Sequence, residues 1–332
     1  MKIHRLDLLT ALQKIKPGIA KKDIVEQATH FIFTGSEIVT YNDNISIKYP
    51  LKTDIKCSVP AEDFFKVVQE LDCKELNIKL DQDKLCFDTG KAKVKLSIGT
   101  ELNKKLIVKT PEKWKSLPED FIEAISFCSF SASRDMTKIV LTYIDISGSV
   151  VSSSDNYRVT QFVMKEKIKD NLLISAEAVR ELVKFPITKY SVNDSWIFFK
   201  TADNIIFSCK RISETFPDLS KILDTSAGQK IKFSADVSKA VKVSSIFAEG
   251  AFDIDRKIKV TVENGKLTCI GEKQTGRVDF TIDTESVKNK KIDFTINPEF
   301  FLKILMESKT AIVGKDKITF MSKNFKHTIS LF

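Results

Sequence analysis

Apolar positions along the chain follow two alternating patterns, one typical of helices and the other typical of strands. Apolar residues spaced three or four apart predict helices, and they mark such stretches at Leu8, Phe64, Phe121, Val179, Val237 and Phe301. Alternation of apolar and polar residues predicts strands between them. The predicted strand groups are Phe31–Phe33 with Glu37–Tyr41, Glu75–Leu80 with Lys84–Asp88 and Lys93–Ile98, Ile139–Ile144 with Val150–Ser153, Trp196–Lys200 with Ile205–Lys210, Lys257–Val262 with Lys266–Ile270 around an Asn264-Gly265 turn, and Ala311–Val313 with Lys317–Met321 and His327–Leu331. This combination predicts an α+β fold.

A ten-residue phrase occurs three times, and each copy has the pattern of a strand that leads into a helix. The copies are Val59–Val68, Ile174–Val183 and Ile296–Leu305. Pro60, Ser175 or Asn297 stands where the helix begins, since an N-cap oxygen satisfies free amides and proline tolerates the first turn. A glutamate follows in the first turn, where it suits the helix dipole. The shared glutamates are Glu62, Glu177 and Glu299, at steps of 115 and 122 residues.

A repeat of this length is a whole domain, because solenoid repeats are only about 20 to 50 residues long. The sequence therefore predicts one module built three times, at residues 1–115, 116–227 and 228–332. Each module is expected to contain two helices and antiparallel sheets. Pro, Gly, Ser and Lys cluster near Trp114–Ser116 and Ser226–Gly228, where we place the module boundaries.

The sequence offers little for catalysis. The three histidines lie in separate predicted elements, and no nucleophile-elbow, Walker or dinucleotide-binding phrase occurs. The six cysteines have no paired spacing and are expected to be reduced thiols, while two Asp-x-Asp pairs lack the third oxygen of a calcium loop. We expect no catalytic group, cofactor or metal. The absence of an apolar export core or membrane-length stretch predicts a cytoplasmic protein without membrane contact.

Charge is distributed unevenly along a chain whose formal net charge is +9. The three predicted modules carry +5, −2 and +6 in chain order. Lysines on the predicted helices suit a surface that faces phosphates without reading bases. No helix-turn-helix phrase or aromatic stacking ladder is visible, so a nucleic-acid partner would be bound independently of its sequence. The alternative is an ordinary solvated, lysine-rich surface.

Four segments resemble the bacterial-type DNA sliding clamp, the β subunit of DNA polymerase III, over essentially the full chain. They are Leu8–Ile15 with Phe31–Ile38, Phe130–Thr142, Ser153–Val159, and Phe216–Leu223. The second is similar to the family's F-x-x-S-x-D-x-T-R-x-x-L-x-G stretch, with Lys138 for Arg and Tyr143 for Gly. The third is similar to A-T-D-G-H-R-L, with Asn156 for Gly and Tyr157 for His. The fourth is similar to F-P-D-Y with a downstream R-V-L.

The resemblance implies a DNA clamp fold and a processivity factor that needs no catalytic group. Clamps of this family are head-to-tail homodimers of three-domain chains, and they encircle double-stranded DNA without sequence preference. The implied partners are the replicative DNA polymerase, the clamp loader and other clamp-motif proteins, at replication sites in the cytoplasm. The divergence suggests an outlying or phage-borne member.

The resemblance also implies site residues. The family binds partner peptides in a cleft between its second and third domains, and the matching positions here are Leu141, Ser154, Asn156, Tyr157, Arg158, Val159, Pro217, Lys221, Ile222, Ile329, Ser330 and Leu331. The residues expected to contact DNA are Lys21, Lys22, Arg134, Lys138, Lys239 and Lys242. The residues expected at the dimer interface are Val94, Leu96, Ile246 and Phe247.

Two other functions stay open from the sequence. One is a monomeric clamp-fold protein that binds DNA or sequesters the partners of a clamp. The other is an enzyme whose catalytic residues are dispersed along the chain. The number of chains per particle in solution separates the first alternative from a ring.

Overall fold

The computed structural model describes residues 2–89, 91–284 and 291–332. Its helices are α1 (Arg5–Ile15), α2 (Ala61–Glu70), α3 (Phe121–Ser129), α4 (Ala176–Leu182), α5 (Ser220–Leu223), α6 (Val237–Ser244) and α7 (Pro298–Leu305). Short 3₁₀ helices occur at Lys16–Gly18, Lys104–Leu106, Met136–Thr142, Ser245–Phe247 and Asp253–Asp255. Across the described ranges, no helix has the length and apolar character needed to cross a membrane.

The strands are numbered in chain order. The first twelve are β1 (Lys2–His4), β2 (His30–Thr34), β3 (Glu37–Tyr41), β4 (Ile45–Pro50), β5 (Lys56–Pro60), β6 (Glu75–Asp81), β7 (Lys84–Asp88), β8 (Lys93–Ser97), β9 (Lys115–Ser116), β10 (Tyr143–Ser147), β11 (Val150–Ser154) and β12 (Arg158–Val163). The remainder are β13 (Leu172–Ser175), β14 (Ile187–Val192), β15 (Trp196–Thr201), β16 (Ile206–Lys210), β17 (Gln229–Lys232), β18 (Ile258–Glu263), β19 (Lys266–Lys273), β20 (Gly276–Asp283), β21 (Ile292–Ile296), β22 (Thr310–Val313), β23 (Lys317–Met321) and β24 (Phe325–Ser330).

The chain divides into two compact units. The first unit comprises Met1–Ile122 and Leu172–Ser213, and the second comprises Glu123–Asn171 and Glu214–Phe332. This division does not follow chain order, and the predicted three-module boundaries stay a prediction. The α+β fold class, with helices and antiparallel sheets, is confirmed.

The first unit contains a sheet in the order β5-β2-β3-β4-β16-β15-β14-β9 and a smaller sheet in the order β1-β6-β7-β8. The antiparallel pair β4–β16 joins the two halves of the larger sheet. Phe64 on α2 fills the core beside Phe31, Phe33 and Phe87, at ring-centroid distances of 6.0, 5.9 and 5.5 Å. Buried apolar area of this kind is the main stabilising contribution.

The second unit repeats this plan. One sheet contains the order β10-β11-β12-β24-β23-β22-β17, and the other has the order β20-β19-β18-β21. Here the antiparallel pair β12–β24 joins the two halves. Phe301 on α7 occupies the core beside Phe233, Phe294 and Phe320, with ring centroids 5.3, 6.1 and 5.9 Å away.

The local sequence signals explain most element boundaries. Ser175 Oγ accepts a hydrogen bond from Ala178 N at 3.1 Å, and Asn297 Oδ1 accepts from Phe300 N at 3.2 Å, so both act as the predicted N-caps. The Asn264-Gly265 hairpin turn is also confirmed. Both residues have positive φ, at 51° and 74°, as a type I′ turn requires.

The strand predicted at Ile139–Ile144 is wrong over its first four residues, because Met136–Thr142 forms a 3₁₀ helix with a kink at Lys138. Asp135 caps this helix by accepting a hydrogen bond from Thr137 N at 2.9 Å. Met136 and Ile139 are 69% and 43% exposed, so this segment buries no alternating face. The strand begins only at Tyr143.

Candidate functional site

The residues predicted to bind a partner peptide lie on four segments of the second unit. These segments are the 3₁₀ helix Met136–Thr142, the turn Ser154–Arg158 that leads into β12, the stretch around α5, and the end of β24. Ser330 N donates to Tyr157 O at 2.8 Å, and Lys317 Nζ donates to Ile222 O at 2.9 Å. Since Lys317 is paired with Ser330 across β23 and β24, three of the four segments meet at one end of the sheet.

The turn before β12 is built around Asp155. Its Oδ1 accepts hydrogen bonds from Tyr157 N at 3.1 Å and from Arg158 N at 2.8 Å, which closes an Asx turn. Asn156 has φ of +73°, in the left-handed region that favours glycine and tolerates asparagine. Asparagine therefore preserves a backbone shape at the position where the clamp motif has glycine.

Arg158 is buried, and its guanidinium contacts Asp155 and Phe300. Its Nε and Nη2 donate to Asp155 Oδ2 at 2.9 and 2.7 Å, and its guanidinium lies 3.9 Å from the ring centroid of Phe300. Ion pairing and stacking on an aromatic face both suit the planar guanidinium. Because Arg158 is buried, it supports the backbone of the site and does not present its charge to solvent.

The accessible surface here is a mixture of apolar and polar side chains. Beneath this surface lie three buried side chains, Leu141, Val159 and Ile329. Val159 packs against Leu219 and Leu223 of the α5 region. Tyr157 and Ile222 are 41% and 44% exposed. The structure thus brings apolar side chains to the surface beside the turn and the end of β24.

Sequence reasoning did not include Met136 and Ile139 in this site. Lys138 Nζ donates to Asn156 Oδ1 at 3.3 Å, so the 3₁₀ helix that carries both residues lies beside the Asp155 turn. The exposure of Ile139 could not be read from the sequence because this residue suited the start of the strand predicted at Ile139–Ile144. The Asp-x-Thr phrase at Asp135–Thr137, a capping pattern, was the available signal.

The groups described here offer no activated nucleophile at this place. Ser153 Oγ donates to Cys128 O, and Ser154 Oγ donates to Arg158 O, so both hydroxyls are engaged by carbonyls. Outside this site, burial raises the pKa of the Cys57, Cys209 and Cys269 thiols to about 12, which keeps them protonated near neutral pH. Within residues 2–89, 91–284 and 291–332, no group of three or more His, Cys, Asp or Glu side chains could hold a metal ion.

The residues predicted to contact DNA are all exposed. Lys21 and Lys22 lie in the loop after α1 in the first unit. Arg134 and Lys138 flank the start of the 3₁₀ helix in the second unit, and Lys239 and Lys242 lie three residues apart on α6. Residues three apart on a helix share a face, so α6 presents two ammonium groups together.

The predicted interface residues lie at sheet edges or beside them. Val94 and Leu96 are half-buried on β8, an end strand of the smaller sheet of the first unit. Ile246 is 60% exposed, and Phe247 packs beside Gly276 at the start of β20, an end strand of the second unit. Lys273 Nζ donates to Ile246 O at 3.0 Å and lies 5.5 Å from the Phe247 ring centroid.

A fold with this element order and these strand pairings is the DNA clamp fold, and solved bacterial sliding clamps share it over the whole chain. A sliding clamp from Bartonella birtlesii bound to griselimycin has a TM-score of 0.88 at 15% identity, covering 100% of this chain and 98% of that one. The β chain of DNA polymerase III from Streptococcus pneumoniae has a TM-score of 0.86 at 17% identity, with coverage of 100% and 98%. The Helicobacter pylori β clamp bound to a DNA ligase peptide has a TM-score of 0.84 at 14% identity, with coverage of 100% and 99%.

The sequence comparisons lead to the same class of protein. The β sliding clamp of Chlamydia pneumoniae is 22% identical over 94% of this chain and 91% of its own length. The β sliding clamp of Rickettsia bellii is 23% identical over 58% of this chain and 57% of its own length. No protein-family model matches the chain. The chain resembles bacterial-type β sliding clamps and has their fold.

Proposed function

We propose that this protein is a DNA polymerase processivity factor, a homodimeric ring that encircles duplex DNA and tethers its partners through a peptide-binding cleft. The observation that carries the proposal is the full-length match to bacterial clamps in fold, with a TM-score of 0.88 and 100% of the chain covered. A ring retains DNA by topology, so this function needs no catalytic group. The protein is proposed to act in the cytoplasm, at sites of replication.

Charge supports the proposed ring contact, in which β8 of one chain meets β20 of the other. The exposed side chains of β8 include Lys93 and Lys95, whereas those of β20 are Arg277, Asp279, Thr281 and Asp283. Arg277 pairs with Asp279 at 2.8 Å, so β20 has one acid, Asp283, in excess. Apolar side chains accompany both edges, with Val94 and Leu96 on one and Ile246 beside the other. Unlike edges of this kind attract each other, and two such contacts close a ring of two chains.

Duplex DNA is the proposed ligand of the exposed cations. Lys21, Lys22, Arg134, Lys138, Lys239 and Lys242 are the proposed contacts. These side chains suit phosphate contact, which positions a protein without reading sequence. Such contact weakens steeply with salt because bound phosphates regain their counterions.

The proposed partners are the replicative polymerase, the clamp loader and other proteins that carry a clamp-binding motif. The site is the surface formed by the Asp155 turn, α5 and the end of β24. Exposed Tyr157 and Ile222 can receive Leu or Phe anchors of a short extended peptide. The Helicobacter pylori clamp, which shares this fold, was solved with a DNA ligase peptide.

The ring is tested by measuring mass in solution and retention on DNA. We expect two chains per particle at micromolar concentration, and retention on closed circular DNA at a salt concentration that strips the protein from linear DNA. Replacing Ile246→Ala together with Phe247→Lys should give monomers, because a charge buried in an apolar contact is unfavourable. Met306→Lys is the matched control, since Met306 is 77% exposed and lies outside the proposed contact.

A monomeric wild-type protein would reject the ring and favour the alternative of a clamp-fold DNA-binding or partner-sequestering regulator. A dimer with equal retention on circular and linear DNA at every salt concentration would reject encirclement. The triple variant Lys22→Glu, Arg134→Glu, Lys138→Glu separates DNA affinity from assembly. It should bind DNA more weakly and with a shallower salt dependence, yet remain a dimer.

A further inference from the structure

A cavity of about 580 Å³ lies in the second unit, between the strands β10 to β12 with β24 and the segment from Phe216 to Asp224. It shares Pro217 and part of α5 with the proposed peptide site, while its floor consists of residues outside the predicted site set. The cavity therefore adjoins the proposed cleft and extends it. Its volume is large enough for one long side chain.

The floor of the cavity is a single polar row across four strands. The strand register pairs Asp145 with Ser152, Ser152 with Gln161, and Gln161 with Lys326. All four side chains line the cavity. Residues directly opposite in a sheet have their Cβ atoms about 5 Å apart, so neighbouring members of the row can bind one group together.

The polar groups at the Asp145 end of the row have unused hydrogen-bonding capacity. Ser152 is only 6% exposed, and its Oγ makes no hydrogen bond to any residue that the structure describes. Asp145 Oδ1 accepts one long bond, from Ser147 Oγ at 3.4 Å, and burial raises the pKa of this carboxyl. Asp145 is half-buried, and both residues line the cavity. The remaining acceptor positions of Asp145 and the Ser152 hydroxyl can therefore accept from a ligand that donates hydrogen bonds.

The charge of the lining specifies a cation. The cavity is lined by Asp145, Asp218 and Asp224 against one lysine, Lys326, in a chain whose net charge is +9. Hydrogen bonds from Ser220 and Ser226 lower the pKa of Asp218 and Asp224 and keep them ionised. Lys326 stands three strand spacings from Asp145, roughly 14 Å away, which directs a cation to the Asp145 end.

We propose that this cavity binds an arginine side chain of the partner peptide that occupies the neighbouring cleft. A guanidinium has five N–H donors and no acceptor, and it finds the Asp145 carboxylate and the Ser152 hydroxyl side by side. Phe216 and Leu219 line the same cavity and can cover the methylene stem. This inference rests on the proposed function, and it adds a flanking basic residue to the motif that the cleft selects.

The first experiment needs no partner peptide. N-acetyl-arginine-N-methylamide is titrated into protein with labelled methyl groups, and the resonances of Val150, Leu219 and Leu223, which line the cavity, are followed. We expect these resonances to shift with blocked arginine and not with blocked citrulline, and Asp145→Asn to weaken binding at least roughly fivefold. Glu166→Gln removes an exposed acid of the same unit outside the cavity and should change nothing. Equal shifts with citrulline, or none with either, would overturn the proposal.

The second experiment links the cavity to the cleft. Peptides of twelve residues with a Leu-Phe anchor carry arginine or citrulline on one flank or the other, and binding is measured by fluorescence anisotropy. One arginine peptide should bind at least roughly fivefold more tightly than its citrulline partner, and Asp145→Asn should remove that preference. If all peptides bind equally, the arginine proposal fails and the cleft stands. If no peptide binds while blocked arginine does, the cavity stands and the cleft fails.

Discussion

Both units have the same turn before the strand that joins their half-sheets, β4 in the first unit and β12 in the second. They differ in the buried side chains that follow the turn. In the first unit, Asn42 Oδ1 accepts from Asn44 N at 3.2 Å and from Ile45 N at 2.8 Å, and Asp43 has φ of +67°. In the second unit, Asp155 and Asn156 take the same roles. The residue that enters the strand is apolar Ile45 in one unit and Arg158 in the other, and both are buried.

A further pair of equivalent positions shows the same difference. The first unit pairs Ile47 with Phe207 across β4 and β16, whereas the second pairs Thr160 with His327 across β12 and β24. Thr160 Oγ1 and His327 Nδ1 are 2.8 Å apart in a fully buried setting. On this face of the sheet, one backbone plan thus supports an apolar pair in the first unit and a polar pair in the second. The other face of the first junction carries the buried Ser46, Ser208 and Lys48. The polar junction underlies the proposed peptide site.

The largest expected effect comes from breaking the Arg158–Asp155 pair. Asp155→Asn should lower the free energy of unfolding by about 3–5 kcal/mol, because it leaves a buried guanidinium without its carboxylate. Adding Arg158→Ile recreates the Asn42 and Ile45 arrangement of the first unit and should restore most of the loss. Chemical denaturation followed by circular dichroism measures both variants.

The tryptophan signal is the internal control for this pair. Trp114 and Trp196 both lie in the first unit, so their fluorescence reports a region that neither substitution touches. Asn42→Asp, which keeps the oxygen that accepts the turn's hydrogen bonds, should change stability by less than about 1 kcal/mol. A double variant as unstable as Asp155→Asn alone would show that the ion pair is not what distinguishes the units.

The next effect concerns pH and the buried His327. Burial lowers the pKa of His327 from 6.5 to about 3, so the folded protein keeps this ring neutral while the unfolded chain protonates it. The contribution of the neutral His327 ring to the free energy of unfolding is complete above pH 6.5. It is lost as pH falls from 6.5 towards 3, and the free energy of unfolding then changes by up to about 1.4 kcal/mol per pH unit. At pH 5 the loss should be about 2 kcal/mol.

Unfolding free energies measured between pH 7 and 5 for the wild type and for His327→Gln test this expectation. The variant should have the shallower slope, whatever its absolute stability. His30→Gln in the first unit is the comparison, since His30 is only partly buried and its pKa is lowered by that burial. Identical slopes for the wild type and His327→Gln would show that His327 has the same pKa in the folded and unfolded protein.

The smallest effect should be shared by both units, because it depends on the turn that they have in common. Asn156→Ala and Asp43→Ala should each destabilise by roughly 1 kcal/mol, since alanine is unfavourable at positive φ. Asn156→Gly and Asp43→Gly should be close to neutral. Thermal unfolding of the four variants checks the ranking. A glycine variant less stable than its alanine counterpart would contradict the equivalence of the turns.

Periodicity and capping patterns were enough to predict the α+β fold class and most of the helices and strands. The repeated phrase predicted the starts of α2, α4 and α7, and its N-caps Ser175 and Asn297 act as predicted. Resemblance to the clamp motifs placed the candidate cleft residues on segments that do meet in the second unit. The helix starts were predictable because they depend on neighbours in sequence, whereas the role of the cleft residues stays a prediction.

The depth of each side chain could not be predicted in the same way. Arg158 looks like a surface residue in the sequence, yet Asp155 and Phe300 together hold it inside, and Phe300 comes from a segment far along the chain. The polar row from Asp145 to Lys326 depends on strand register across β10, β11, β12 and β24. Register between distant strands is set by tertiary packing, and no local pattern records it.

The charges of the two end strands also bear on self-recognition between copies. β8 exposes Lys93 and Lys95 with no acid on the same strand, whereas β20 exposes Asp283 beside an Arg277–Asp279 pair. If β8 met β8, lysines would face lysines, and like charges directly opposite each other in a sheet are destabilising. The β8 edge is therefore discouraged from pairing with itself, and the proposed ring pairs it with the β20 edge instead. Both copies would then run in the same direction around the ring and turn the same face towards approaching partners, which gives the assembly a front and a back.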